Sequence, residues 1–343
     1  MRVVRQAADV PRNAGPLALA AGFLDGVHLG HRRVIQAARE RARAAGGQTW
    51  VLTFDPHPLR VLRPASAPLL ITPLPLKLRI LEELGVEGCL VRNFTPEFAR
   101  LEPEEFVAEL ATGLPGLAGI AVGAGWRFGH RGAGDAALLA RLAAQHGFAV
   151  DLVPPVEVGG SAVSSTRVRE AVAAGDMAAA AALLGRRFSV EGVVEPGRRI
   201  GRELGFPTAN VAALGELHPP PGVYAVQARL DGRSLGGAAY IGTRPTYGAD
   251  GAPVLEVFLF DFDGDLYGRT LEVAFIERLR GDETFPDAAA LQARIALDVD
   301  RARRLAGPEP AAQPSGATPP KELPRHPVPR RRTQDMGTEK QCR

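Results

Sequence analysis

Ten residues, Gly22-Phe23-Leu24-Asp25-Gly26-Val27-His28-Leu29-Gly30-His31, set two imidazoles three positions apart among three glycines. An imidazole N–H donates to an anionic oxygen, and glycine lets the backbone come close to one. The stretch follows the apolar run Leu17-Ala18-Leu19-Ala20-Ala21 and opens a helix-like segment, Arg32 to Ala45. A strand that turns through glycine into a helix gathers free N–H groups and the positive dipole end at one point. Residues three apart share a helical face, so His28 and His31 are expected to point together. That suits a polyphosphate. A histidine pair alone is also a common accident of a helix surface, and the strand–turn–helix context is what favours a nucleotide.

A second group, Val163-Ser164-Ser165-Thr166-Arg167-Val168-Arg169, leads into another helical stretch. Ser164 and Ser165 read first as helix caps. Arg169 lies one turn further in, and cap hydroxyls with a guanidinium suit a triphosphate. In Thr53-Phe54-Asp55-Pro56-His57-Pro58, two prolines in three residues pin an extended loop. It is either a rigid turn or a wall against a flat ring, with Phe54 or the backbone beside it. Spacing alone leaves both open.

These groups need a frame. Strand candidates at Leu17–Gly22, Thr49–Phe54, Gly88–Asn93, Gly119–Gly123 and Phe148–Val153 alternate with helical blocks such as Leu76–Leu84, Glu104–Ala111 and Ala136–His146. Alternation of this kind implies a parallel sheet, with ligands outside the carboxyl ends of the strands. A helical stretch, Thr166–Leu184, follows; Gly175-Asp176 breaks it, with Asp176 as a cap, and Gly185 ends it. From Phe188 the pattern turns to β. Val223–Leu230 and Leu235–Ile241 flank Asp231-Gly232, a hairpin signal, and Val254–Phe260 and Thr270–Glu277 flank a turn at Asp263-Gly264-Asp265. A closing helix, Asp287–Leu305, carries Leu291, Ile295 and Val299 on one face. The second half is expected to be an antiparallel barrel or sheet with a terminal helix.

The chain's 343 residues, 45% of them apolar, are enough for two cores. No segment reaches the ~20 apolar residues of a membrane helix, and no secretory leader is read before the first strand. The chain is therefore expected to be soluble and cytoplasmic, with no membrane partner. Cys89 and Cys342 are the two cysteines, too few for a disulfide framework or a cysteine metal cluster. Residues 307–343 hold seven Lys/Arg against four Asp/Glu, which accounts for the whole net charge of +3. This proline-rich tail is expected to be disordered, and its Arg330-Arg331-Arg332 run reads as solvated. Charge does not mark a nucleic-acid binder.

Together, the histidine motif, the Thr53–Pro58 loop and the Ser-Ser-Thr-x-x-Arg element resemble the adenylyltransferase module of bacterial bifunctional riboflavin kinase/FAD synthetases. Gly201-Arg202-Glu203-Leu204-Gly205-Phe206-Pro207-Thr208-Ala209-Asn210 resembles the kinase loop of that family. So do Pro221-Gly222-Val223-Tyr224, Ile241-Gly242-Thr243-Arg244-Pro245-Thr246, and Leu255-Glu256-Val257 with Asp265-Leu266-Tyr267-Gly268. The motifs keep the family's order over roughly residues 16–306.

The resemblance implies a Rossmann-like α/β nucleotidyltransferase domain over 1–185, an antiparallel β-barrel riboflavin-kinase domain with a C-terminal helix over 186–306, and the tail over 307–343. It implies two reactions, riboflavin plus ATP to FMN plus ADP, and FMN plus ATP to FAD plus pyrophosphate. In the first half His28 and His31 would hold the ATP phosphates, helped by Gly22, Asp25, Gly30, Ser164, Ser165, Thr166 and Arg169. Phe54, Asp55, Pro56 and Trp126 would border the flavin. FMN's phosphate is already an anionic nucleophile, so positioning and charge neutralisation suffice there. In the second half the nucleophile is the ribityl 5′-hydroxyl. Period two sets Glu256 on the face of Phe258 and Phe260, where a carboxylate is either at a solvated edge or kept as a base. Thr208 and Asn210 supply neutral oxygens suited to Mg²⁺ shared with ATP. Gly201, Gly205 and Pro207 shape either an ordinary turn or a phosphate loop. Arg280 would contact flavin or nucleotide, or lie on the surface.

The chain departs from the family pattern at Phe23-Leu24, where Asn-Phe or a similar pair is usual, at Gly125, where Asp or Asn is usual, and at Glu195-Pro196-Gly197, which replaces a more usual histidine-bearing turn. Rival readings are a riboflavin kinase whose first module has lost adenylyl transfer, a non-catalytic flavin sensor, and an RNA-associated protein acting through the tail.

Overall fold

The computed structural model describes residues 1–114, 116–197, 201, 204–243 and 253–307. The expectations for the 307–343 tail beyond Gly307, for Arg202 and Glu203, and for Arg244-Pro245-Thr246 concern residues outside the described ones. An uninterrupted apolar run suits a strand covered on both faces, and β2 (Leu17–Ala21) is buried throughout. It lies inside a six-stranded sheet ordered β1-β4-β3-β2-β5-β6. The other strands are β1 (Arg2–Val4), β3 (Gln48–Asp55), β4 (Gly88–Asn93), β5 (Leu117–Gly123) and β6 (Ala149–Val153), and every neighbour pair is parallel. From β2 the chain adds β3 and β4 on one side, then returns to place β5 and β6 on the other. The order thus reverses between β2 and β5, a switch point beyond whose carboxyl ends ligands collect. On one face α1 (Leu29–Ala44) packs with α3 (Leu74–Glu83); on the other, α4 (Pro103–Gly113) packs with α5 (Ala136–His146). A short α2 (Pro58–Leu62) follows β3.

A two-residue pair, β7 (Glu157–Val158) and β8 (Ser161–Ala162), leads to α6 (Ser165–Ala174) and α7 (Met177–Leu184). The helical stretch does break at Gly175-Asp176: Gly175 is left-handed, and the Asp176 carboxylate caps α7 by accepting from Ala179 N at 2.8 Å.

The second half is a closed antiparallel barrel, ordered β10-β13-β12-β11-β14-β9 and sealed by the β9–β10 pair. Its strands are β9 (Ser189–Glu195), β10 (Ala209–Ala213), β11 (Gly222–Leu230), β12 (Arg233–Thr243), β13 (Pro253–Leu259) and β14 (Thr270–Arg280). Asp231 and Gly232 both take positive φ, +48° and +80°, which makes the two-residue turn between β11 and β12 that Asp-Gly favours. Inward residues such as Val226, Val257 and Phe275 fill the interior together with α6 and α7. The outer face carries a second apolar layer, Val223, Tyr240, Phe258 and Phe260, beneath α8 (Ala288–Ala306).

The two halves form one unit. Arg79 of α3 reaches Glu191 of β9 and, at 2.7 Å, Glu272 of β14. Arg186, between α7 and β9, donates to Gly26 O at 3.1 Å. Ile71 joins the apolar cluster of the barrel interior.

Candidate active sites

The segment from Gly22 to His28 is tightly bent. Leu24, Gly26 and Val27 all have positive φ, and for a β-branched valine that is a strained conformation. Complete burial of Leu24 and Val27 holds it in place. His28 is the N-cap of α1, in extended conformation, so the expectation that both histidines lie on one helical face needs correcting: only His31 is helical. The rings nevertheless stack, with centroids 3.6 Å apart. His28 Nδ1 accepts from His31 N at 3.3 Å, which leaves the ring hydrogen on Nε2. A side chain at Gly30 would crowd that ring. Burial, outweighing the pull of Asp25, lowers the His28 pKa to about 4, and burial lowers His31 well below its usual value. Both rings are therefore neutral donors at pH 7. His31 Nδ1 is buried with no hydrogen-bond partner among the described residues.

These residues line a cleft of about 730 Å³ at the switch point, bordered by Gly22 after β2, Gly123 at the end of β5 and Val153 at the end of β6. Gly30, Ser165, Thr166 and Arg169 face it too. Ser164 does not; its hydroxyl caps α6 by accepting from Arg167 N. Ser165 Oγ donates to Asp25 O at 2.9 Å. Asp25 borders the cleft, but its carboxylate is committed. It accepts from Ile71 N and Thr72 N at 3.1 Å and pairs with Arg169 at 2.6 Å. This carboxylate holds the loop and the arginine in place.

A second cavity, about 890 Å³, adjoins the first, and Phe23, Leu59 and Trp126 line both. Its wall is aromatic: Phe54, Phe94, Phe98, Phe106 and Phe128. Trp126 stacks on Phe128 at 4.9 Å. Phe54 sits here, whereas Asp55 and Pro56 line neither cavity; Asp55 instead pairs with Arg5 at 3.3 Å. Gly125 borders the first cleft, and a Cβ there would meet open space.

Two residues around the junction of the cavities carried no expectation. His57 faces the cleft and sits edge-on to Phe23 at 4.2 Å. Lys77 is 2% exposed, donates to Phe23 O at 2.8 Å and lies 3.8 Å from the centre of the Phe23 ring. A lysine beside Leu76, Ile80 and Leu81 on the buried stripe of α3 was the available signal.

In the barrel, Thr208 Oγ1 donates to Glu256 Oε2 at 3.4 Å. Asn210 pairs in register with Glu256 across β10–β13, and Tyr240 pairs with Glu256 across β12–β13. Residues opposite one another share a face, so Asn210, Glu256 and Tyr240 stand on the outer face with Phe258. Gly205 is left-handed at φ +87°, Gly201 O accepts from Phe206 N at 2.7 Å, and Pro207 follows. Gln292 of α8 donates to Leu204 O at 3.0 Å, tying that loop to the terminal helix. The Arg280 side chain is 9% exposed and pairs with Asp298 of α8 at 2.7 Å. Among the described residues no His/Cys/Asp/Glu cluster is built to hold a metal alone, and no helix is long and apolar enough to cross a membrane.

A doubly wound sheet with a cleft at its switch point, joined to a closed barrel with a carboxylate beside a hydroxyl and an amide, is the arrangement of a nucleotide-dependent transferase. Residues 10–167 match the family described as FAD synthetase and residues 184–306 the family described as riboflavin kinase. The chain is 39% identical to the bifunctional riboflavin kinase/FMN adenylyltransferase of Pseudomonas fluorescens, over 87% of this chain and 95% of that one. It is 35% identical to the enzyme of the same description from Bacillus subtilis, over 83% and 91%. A solved structure titled as a macrolide-efflux protein from Streptococcus pneumoniae superposes with a TM-score of 0.77 at 29% identity, covering 88% of this chain and 98% of that one. The chain belongs to the bifunctional riboflavin kinase/FMN adenylyltransferase family. It phosphorylates riboflavin to FMN and adenylylates FMN to FAD, with ATP as co-substrate in both reactions.

Proposed function

We propose that the two activities use separate centres, adenylyl transfer in residues 1–185 and phosphoryl transfer in residues 186–306. The adjoining cavities carry the first assignment. ATP lies in the switch-point cleft, with its phosphates against the α1 N-terminus, His28 Nε2, His31 and the first turn of α6. The isoalloxazine of FMN lies in the aromatic cavity, and the phosphate meets ATP where Phe23 and Trp126 border both spaces. A phosphate oxygen of FMN attacks the α-phosphorus, and the bond to pyrophosphate breaks. No proton has to be removed, so the protein's part is alignment and hydrogen-bond stabilisation of the charge that grows on the leaving group.

In the barrel, Glu256 takes the proton of the ribityl 5′-hydroxyl as that oxygen attacks the γ-phosphorus and ADP leaves. Thr208 orients the carboxylate. A hydroxyl, an amide oxygen and a carboxylate on one face fit Mg²⁺, which prefers oxygen ligands, and Thr208 and Asn210 would hold it. When bound, the ion neutralises the ATP phosphates. Arg280 holds α8 against the barrel through Asp298, and any contact with flavin is secondary to that.

Separate assays test this. Glu256→Gln is expected to abolish FMN formation from riboflavin while FAD formation from supplied FMN persists. His28→Ala with His31→Ala should lose FAD formation at least a hundredfold and leave the kinase unchanged; the magnitude is on the order expected for removing charge-stabilising donors. Equal loss of both activities in either variant rejects separate centres.

A further inference from the structure

Residues 69–72 form a strap whose backbone is held from two sides. On the cleft side, Leu69 O accepts from Arg169 Nε at 2.7 Å, and Ile71 N and Thr72 N donate to Asp25 at 3.1 Å. Thr72 Oγ1 in turn accepts from Gly26 N at 3.1 Å, within the bent loop that leads to His28. On the barrel side, Leu70 N donates to Glu216 Oε2 at 3.0 Å. Glu216 belongs to the barrel, in the connection between β10 and β11, and its other oxygen pairs with Arg60 of α2. The Ile71 side chain is 2% exposed and shares an apolar cluster with Leu184 and the barrel interior.

The strap therefore joins a carboxylate of the kinase barrel to the carboxylate that fixes the nucleotide loop. We propose that Glu216 is a positioning residue for adenylyl transfer, supplied by the kinase module and acting through the 69–72 strap on Asp25, Arg169 and the Gly26 loop. The inference rests on the reading that ATP occupies the switch-point cleft. Displacing the strap moves two donors off Asp25 and one acceptor off Gly26, and phosphate alignment is sensitive to such small shifts. Among the described residues the Glu216 carboxylate is held by Leu70 N and Arg60, away from the Thr208–Glu256 hydrogen bond, so phosphoryl transfer is not expected to depend on it.

The test uses the full chain, with FAD formation measured from supplied FMN and FMN formation measured from riboflavin. Glu216→Ala leaves Leu70 N and Arg60 without their partner. Its KM for ATP in FAD formation is expected to rise about tenfold, a typical size for coupling between sites, with FMN formation unchanged. Glu216→Gln keeps an oxygen for Leu70 N but no charge for Arg60, and is expected to recover most of the loss. An unchanged ATP KM in Glu216→Ala overturns the proposal. So does a parallel fall of both activities with a lowered melting temperature, since that is the mark of a merely structural residue. His28→Ala serves as the control for the underlying reading: if it keeps wild-type FAD formation, the cleft is not the ATP site and the proposal falls with it.

Discussion

Lys77 is a cation placed where water cannot reach it, against the Phe23 ring that lines both cavities. Burial lowers its pKa from 10.5 to about 8, against the opposing pull of Asp25, Cys89 and Asp55. Between pH 8 and 10.5 the folded protein has released this proton and the unfolded chain has not, so stability rises with pH across that window. The charge itself, and its field at the cleft, disappears as pH passes about 8. The kcat/KM for FAD formation is accordingly expected to fall above pH 8, and Lys77→Met should be about tenfold slower below that pH with no such fall. Its melting temperature at pH 7 should hold or rise, because methionine fills the volume without a buried charge. A flat wild-type profile across the window removes Lys77 from the account. The contrast with His28 shows what sequence can reveal at this scale. His28 and His31 were legible because strand, glycine turn and histidines are consecutive. Lys77, His57 and the wall residues beyond Phe54 (Phe94, Phe98, Phe106 and Phe128) were not, since their place comes from packing of separate segments around Phe23, Phe54 and Trp126.

Elements place these groups through their ends. Ser164 stands outside the cleft, yet its hydroxyl caps the helix whose first turns bring Ser165, Thr166 and Arg169 into it. Ser164→Ala is expected to cost about 1 kcal/mol, read as a lower denaturant midpoint, and to weaken ATP binding only mildly. A hundredfold loss of ATP affinity without destabilisation would instead give Ser164 a direct contact. Most elements were legible because apolar alternation and turn residues act locally: the sheet strands from β2 to β6, the break at Gly175-Asp176 and the Asp231-Gly232 hairpin lie within a few residues of where pattern puts them. β1 was not. Its three residues, Arg2–Val4, carry no alternation, and pairing with Gly88–Leu90 of β4 is all that makes them a strand. Barrel closure was likewise invisible in any one segment, since the β9–β10 and β10–β13 pairs that complete it join strands by register rather than by a tight hairpin.

At the scale of the molecule, the α/β half and the barrel are held by charges as well as by the shared apolar cluster. Arg79 of α3 is two-thirds buried between Glu191 and Glu272, whose side chains are 9% and 17% exposed, and Ser189 Oγ donates to Glu272 at 2.8 Å. Two carboxylates this close and this far from water need a cation between them, so removing the arginine costs more than the pair is worth. Arg79→Met keeps the apolar stem and deletes the charge. It is expected to destabilise the chain by about 1–3 kcal/mol at pH 7, read as a lower denaturant midpoint. The consequence reaches beyond stability, because α3 also carries Lys77, and β9 follows Arg186, which donates to Gly26 O in the bent loop before His28. If the junction makes the two halves unfold together, calorimetry of the wild type gives one transition and Arg79→Met gives two, the second matching the melting of the barrel followed through kinase activity. Two transitions already present in the wild type would mean that the halves fold independently, and that Arg79 joins them without coupling them.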